Sequence, residues 1–220
     1  MNVQDHVEAV LIKEQEKRKD RERSGKYNPS SLGRCFRLQY WKRTNEPETN
    51  PSDMVGLIKM IEGTIHHRSI QKFLPKKQVE VKIESDHVFG YADWVTEDCV
   101  YDFKTTDSWN FKKFWDVPTD RIKENNHKDL LQLGWYAMQL GIAKICLVGV
   151  VKGKLGSNSM AYHYFETEEL REAVMDEIDT LKDIWKNKEL PAAEARAFNG
   201  RDCQYCGFKD RCKELENGVC

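Results

Sequence analysis

The apolar positions change period along the chain, and each change marks an element. Residues 3 to 23 carry a thin apolar stripe, Val3, Val7, Val10 and Leu11, on a charged helix whose later half, from Lys13, reads as a solvated face. The stretch from Tyr27 to Arg43 opens with the turn and cap residues Asn28, Pro29, Ser30 and Ser31 and continues as a short helix. A second helix is expected over roughly 53–74, with Met54, Ile58, Ile61 and Ile65 on its core face and His67 nearly opposite. Alternation then takes over. Residues 77–83, 87–95 and 99–105 read as three short strands separated by Glu, Ser and Asp turns. Residues 109–121 read as irregular and aromatic, and a strong helix over 128–140 ends at Gly141. Two further strands are expected at 144–151 and 160–165. Thr167 is expected to cap a long helix to about Lys188, with Glu168 and Glu169 in its first turn and Pro191 beyond its end. Helix, three strands, helix, two strands, helix implies a mixed α/β fold, a mixed sheet with helices on its faces.

Composition narrows the function classes. Over 220 residues, 40% are hydrophobic and 32% charged, the balance of a globular chain and not of a disordered one. With 35 Lys and Arg against 36 Asp and Glu, bulk positive charge cannot be the means of holding a polyanion, so a nucleic acid would have to be held by local patches. The longest apolar run, Ile145 to Val151, is strand-sized and excludes a membrane helix. The charged N-terminus does not resemble a signal peptide, so a cytoplasmic location is expected.

The third strand ends Tyr101-Asp102-Phe103-Lys104. Alternate residues share a strand face, so Asp102 and Lys104 point one way and Phe103 points into the core. The strand before carries Gly90-Tyr-Ala-Asp93, and a hairpin would bring Asp93 to Asp102. Two carboxylates and an ammonium suit phosphodiester hydrolysis. The oxygens can hold Mg2+ or Mn2+, and the lysine can orient water or offset developing charge. On the following helix Gln132 and Tyr136 share a face, with Asp129 and Gln139 on the same polar stripe, facing either water or a polar cleft. His67, in Gly63-Thr-Ile-His-His67, could add an imidazole to a carboxylate metal site.

Seven cysteines in a cytoplasmic chain point to metal or redox chemistry. Cys203, Cys206 and Cys212 form C-x2-C-x5-C, and Cys35 can be a distant fourth ligand; Cys99 and Cys146 lie in strand-like runs and read as packing residues. Four thiolates in this split suit either a zinc site or a [4Fe–4S] cluster. Either would join the N-terminal segment to a short polar tail.

Taken in order, these pieces resemble the RecB-type branch of the PD-(D/E)XK nuclease superfamily, and within it the iron–sulfur members, the CRISPR-associated Cas4 nucleases and related phage exonucleases. Ser30-Ser-Leu-Gly-Arg-Cys35 resembles the first-cysteine motif, Gly63-x3-His67 the helix motif, and Gly90-Tyr-Ala-Asp93 and Asp102-Phe-Lys104 the two metal motifs. Gln132-x3-Tyr136 resembles the Q-x-x-x-Y motif and Cys203-x2-Cys206-x5-Cys212 the closing cluster motif. No proline precedes Asp93, a departure common in this branch.

The resemblance implies a restriction-endonuclease-like core over 53–190. An N-terminal segment, 1–52, would give one cluster cysteine, and a tail, 191–220, would complete an iron–sulfur lobe. It implies His67, Asp93, Asp102 and the Phe103 carbonyl as metal ligands and Lys104 as the catalytic lysine. It also implies exonuclease action on single-stranded DNA ends, with a recombination or CRISPR-adaptation protein as partner. The runner-up readings are a non-catalytic DNA-binding module of the same fold and a zinc-stabilised interaction protein. Cations beside stackable rings mark the expected DNA contacts: Arg34 and Arg37 in the 29–45 segment, and Trp109, Lys112 and Lys113 after the third strand, together with Gln132 and Tyr136.

Overall fold

The computed structural model describes residues 25–215 except 155, 157, 198 and 199, together with 9, 10 and 13. Most of the expected helix over 3–23, and Cys220, lie outside the described residues. The helices are α1 (Phe36–Arg43), α2 (Met54–Gln71), α3 (Ser108–Phe114), α4 (Thr119–Asn125), α5 (His127–Leu140), α6 (Arg171–Asn187) and α7 (Lys209–Leu215). The strands are β1 (Val79–Glu84), β2 (Phe89–Val95), β3 (Cys99–Thr106), β4 (Lys144–Val151) and β5 (Met160–Glu166), ordered β1-β2-β3-β4-β5 in one sheet. Every neighbouring pair is antiparallel except β3 and β4, which run parallel. A parallel pair needs a long crossover, which α3, α4 and α5 supply. The mixed sheet with flanking helices agrees with the α/β class expected from the sequence.

Strand alternation divides the core in two. Val100 of β3 and Ile145 and Leu147 of β4 pack with Leu130, Leu133 and Trp135 of α5 and Val174 and Leu181 of α6. On the opposite face Phe103, Cys146, Val148 and Val150 pack with Ile70 of α2. Cys99 and Cys146 are buried in that second layer, as the apolar runs around them imply. A third cluster joins distant segments: Cys35, Leu38 and Trp41 pack with Phe208 and Cys212.

Three local expectations are corrected. On α2 the buried residues are Leu57 and Ile70, while Ile58 and Ile65 are exposed. The inward face also carries Gly63 and His67, because there it looks onto polar side chains and not onto oil. The segment 109–121 is not irregular: Asp107 caps α3 by accepting from the Trp109 and Asn110 amides, and α4 follows Pro118. Its aromatics divide by role, with Phe111 and Trp115 buried and Trp109 and Phe114 exposed. The long helix is entered through a 3-10 turn, Thr167–Leu170, with Glu166 as the cap residue. Thr167 instead donates its hydroxyl proton to the Ile142 carbonyl at 2.8 Å, tying the turn to the start of β4.

Candidate active site

The site forms where β2 and β3 separate. They pair at Trp94–Tyr101 and Val95–Val100, where the two rings stack 4.2 Å apart. Beyond these rungs the Phe103 amide donates to Asp93 Oδ2 at 2.9 Å, so a side chain replaces a backbone partner. A strand residue turns its N–H and C=O to the same side, so the Phe103 carbonyl also faces this opening. Asp93, Asp102 and Lys104 therefore come together as the hairpin argument expects. His67 approaches from α2, with Nδ1 3.4 Å from Asp93 Oδ2.

Asp102 is 3% exposed. Gln132 Nε2 donates to its Oδ1 at 3.0 Å, and Lys104 Nζ lies 2.9 Å from its Oδ2. Beyond that ammonium, Oδ2 is buried with no other donor among the described residues. Lys104 also reaches Asp129 Oδ1 at 3.2 Å, and Lys128 pairs with the same oxygen. Burial pushes the Asp102 carboxyl up to about 6; Lys104 opposes this, while Asp93 and Asp129 add to it. Burial disfavours charge on Lys104, but Asp102, Asp129 and Asp93 outweigh it and hold its pKa above the ordinary lysine value. Burial also works against Asp129, and Lys104 and Lys128 overcome it to hold that carboxyl below its ordinary value. For His67, burial opposes the proton and Asp93 wins, so its pKa is raised.

Gln132 and Tyr136, expected at the DNA, are buried braces. The Tyr136 hydroxyl donates to the Tyr91 carbonyl at 2.9 Å, which fixes β2 against α5. Gly90 makes room for it, since a Cβ there would sit 2.7 Å from both that hydroxyl and the Pro29 ring. Gly149 is the β4 partner of Lys104 and lies under the Trp115 ring, which walls the site on that side. Asp129 is the site residue that motif reading leaves out. Its signal was its place on the Gln132 stripe, but no local spacing says which lysine it meets.

The expected DNA contacts separate. Trp109 is 67% exposed, and Lys113 Nζ lies 4.7 Å from its ring and 5.0 Å from that of Phe114, with Lys112 beside them on α3. Arg34 is half-buried at the wall of a cavity. Arg37 is corrected: it is 6% exposed, with Nε donating to the Pro191 carbonyl at 2.6 Å and Nη1 to Cys212 Sγ at 3.3 Å. Its guanidinium anchors the chain after α6 to α1 and is turned away from solvent.

That cavity is lined by Cys35, Cys203, Cys206 and Cys212, with Leu38, Trp41, Arg37 and Asp202. Asp202 accepts from the Cys35 amide at 3.2 Å, and the Phe208 amide donates to Cys206 Sγ at 3.4 Å. Among the described residues, no three His, Cys, Asp or Glu side chains stand together as a finished metal cage. The donor sets nevertheless fit two different ions. At the sheet opening, the Asp93 and Asp102 carboxylates and the Phe103 carbonyl offer hard oxygen donors, and His67 beside Asp93 adds a borderline imidazole nitrogen. At the cavity, four soft thiols share one wall with N–H groups aimed at sulfur.

The mixed α/β sheet thus opens between an antiparallel pair, with two carboxylates and a lysine at the opening. No family model and no curated protein matches the sequence. Solved structures do. The protein SSO0001 is similar over 97% of this chain and 95% of its own, at 17% identity and a TM-score of 0.57. A phage related exonuclease from Haemophilus somnus 129PT is similar over 74% of this chain and 94% of its own, at 11% identity and a TM-score of 0.53. The alkaline exonuclease LHK-Exo from Laribacter hongkongensis, in complex with dAMP, matches over 74% of this chain and 89% of its own, at 12% identity and a TM-score of 0.50. At these identities the likeness is one of fold: the chain shares the fold of exonuclease structures.

Proposed function

We propose that this protein is a metal-dependent deoxyribonuclease of the PD-(D/E)XK type that acts as an exonuclease on single-stranded DNA ends. The observation that carries the reading is the convergence of Asp93, Asp102 and Lys104 where β2 leaves β3, on a fold shared with exonucleases. Asp93, Asp102, His67 and the Phe103 carbonyl would hold Mg2+ or Mn2+. When bound, such an ion supplies Lewis acidity toward the phosphate and an activated water. Lys104 orients the nucleophile and offsets charge on the phosphate oxygens. Gln132 keeps Asp102 aimed at the opening, and Tyr136 keeps β2 from closing over it. Trp109, Phe114, Lys112 and Lys113 give a single strand rings to stack on and cations for its phosphates; Arg34 is a second phosphate contact. A protein of recombination or CRISPR adaptation is the partner that this activity suits.

The four cysteines would hold a [4Fe–4S] cluster, with Zn2+ as the alternative. Four cysteines line one cavity, and the buried Arg37 guanidinium and the Phe208 amide donate to two of their sulfurs, Cys212 Sγ and Cys206 Sγ, which supports this reading. The test of the enzyme is cleavage of end-labelled single and double strands with Mg2+ or Mn2+. Asp102→Asn, which removes an anionic ligand and keeps the shape, should cut neither while still binding DNA. Turnover by Asp102→Asn equal to that of the unaltered protein would remove the assignment. Binding without cleavage by the unaltered protein would leave a DNA-binding module of this fold.

A further inference from the structure

Lys104 has one more carboxylate than an ion pair needs. Its Nζ lies 2.9 Å from Asp102 Oδ2 and 3.2 Å from Asp129 Oδ1. Asp129 is 7% exposed and stands in the first turn of α5 beside Lys128, which pairs with the same oxygen. The turn is held in place from outside. Gly33, at φ +72°, packs so closely on α5 that a Cβ there would sit 3.1 Å from the Lys128 Cα. Burying Asp129 is costly even with Lys128 on the same oxygen, so its contact with Lys104 needs a reason.

The proposed cation site gives one. A divalent ion at Asp102 competes with the ammonium for the same oxygen and repels it across a short distance. Lys104 must then lean elsewhere while keeping its charge and its place near the phosphate. Asp129 is already in contact, on a helix and not on the opening strands.

We propose that Asp129 is a positioning residue that receives Lys104 when the cation takes Asp102. Before the ion binds, the two carboxylates share the ammonium. Afterwards Asp129, whose oxygen Lys128 also contacts, is the carboxylate left to hold it. Asp129 touches neither metal nor substrate. This inference rests on the nuclease reading above.

The test is a cycle of variants in the full chain, read by Mn2+ calorimetry as well as by turnover. Asp129→Asn leaves Lys104 fixed on Asp102, so Mn2+ should bind on the order of tenfold more weakly, the scale seen when a partner behind a metal ligand is removed. The kcat should fall with little change in the KM for DNA. In a Lys104→Gln background the same Asp129→Asn change should alter Mn2+ affinity by less than about twofold, since no ammonium is left to place. Asp129→Glu keeps the charge and should recover part of the loss. It also serves if Asp129→Asn folds poorly, because it still displaces Lys104. Equal weakening in both backgrounds would make Asp129 a ligand or a scaffold residue and overturn the inference. An unaltered protein that binds Mn2+ and cuts DNA, matched by Asp129→Asn, overturns this inference alone. An unaltered protein that neither binds Mn2+ nor cuts overturns the nuclease reading and this inference with it.

Discussion

Asp102 shows how one residue gathers a site. Its Oδ1 is fixed by Gln132 across 30 residues, and its Oδ2 is faced by the lysine two positions on. Gln132→Ala removes the amide donor on Oδ1 and leaves a buried oxygen without it. The expected cost is about 2 kcal/mol of stability, together with roughly a tenfold loss of turnover as Asp102 loses its aim. Denaturant melts and single-strand cleavage rates measure both, and an unchanged melt with unchanged rate would show that the bond carries no weight. The protonation states make a second prediction. A cation needs Asp102 and His67 without their protons. Burial pushes Asp102 up to about 6, and the His67 value is raised by Asp93 against the opposing effect of burial. Protons therefore compete with the metal at low pH. Mn2+ affinity should climb with pH through about 6 and level off above the His67 value. Calorimetry in buffers from roughly pH 5 to pH 8 reads this directly, and a flat profile would place the ion elsewhere.

Elements were legible where the side-chain period was clean. The alternation in β1, β2 and β3 gives the strands and the hairpin that brings Asp93 to Asp102, and Gly141 ends α5 in the left-handed conformation, with φ +69°. The inward face of α2 was not legible, because isoleucine periodicity points away from a face that carries Gly63 and His67 over polar groups. Arg37 looked like a DNA contact because its partners, Pro191 and Cys212, lie 154 and 175 residues away. The crossover shows what such distant fits demand. Gly149 on β4 lies against Trp115, and a Cβ there would stand 2.4 Å from the ring. Gly149→Ala must push the indole off the strand, and overpacking of this kind costs about 2–3 kcal/mol. Because Gly149 is the partner of Lys104 on β4, turnover should fall along with stability. A urea midpoint equal to that of the unaltered protein would show that Trp115 yields freely.

At the scale of the molecule, the sheet and the cysteine cavity answer to different forces. The sheet has two apolar layers to hold it, whereas among the described residues the tail adds Phe208 and Cys212 to the apolar cluster on α1 and relies otherwise on polar ties such as Arg196 to Glu177. Polar ties help: the Asn50 amide donates to the Gly207 carbonyl at 2.8 Å, and Arg211 pairs with Glu46 at 2.6 Å. Such ties at a partly exposed surface contribute little. A metal held by the four cysteines would therefore supply much of the free energy that keeps the tail on α1. Cys203→Ser should separate the two regions. A hard alcohol replaces a soft thiolate, so bound iron, expected at about four per chain for the proposed cluster, should be lost or become labile. Melting should begin at lower temperature, and Arg34, at the cavity wall, should lose its setting, so DNA affinity should fall with stability. Asp102→Asn should do the reverse. It neutralises a carboxyl that burial already disfavours as an anion and leaves Lys104 its second carboxylate, Asp129, so iron content, melting and DNA binding should hold while cleavage disappears. Metal analysis, thermal melts and DNA affinity on both variants decide the matter. If Cys203→Ser keeps its metal content, stability and binding, the cavity holds no structural ion. If Asp102→Asn loses them, Asp102 is a fold-building residue and the sheet opening is not a catalytic centre.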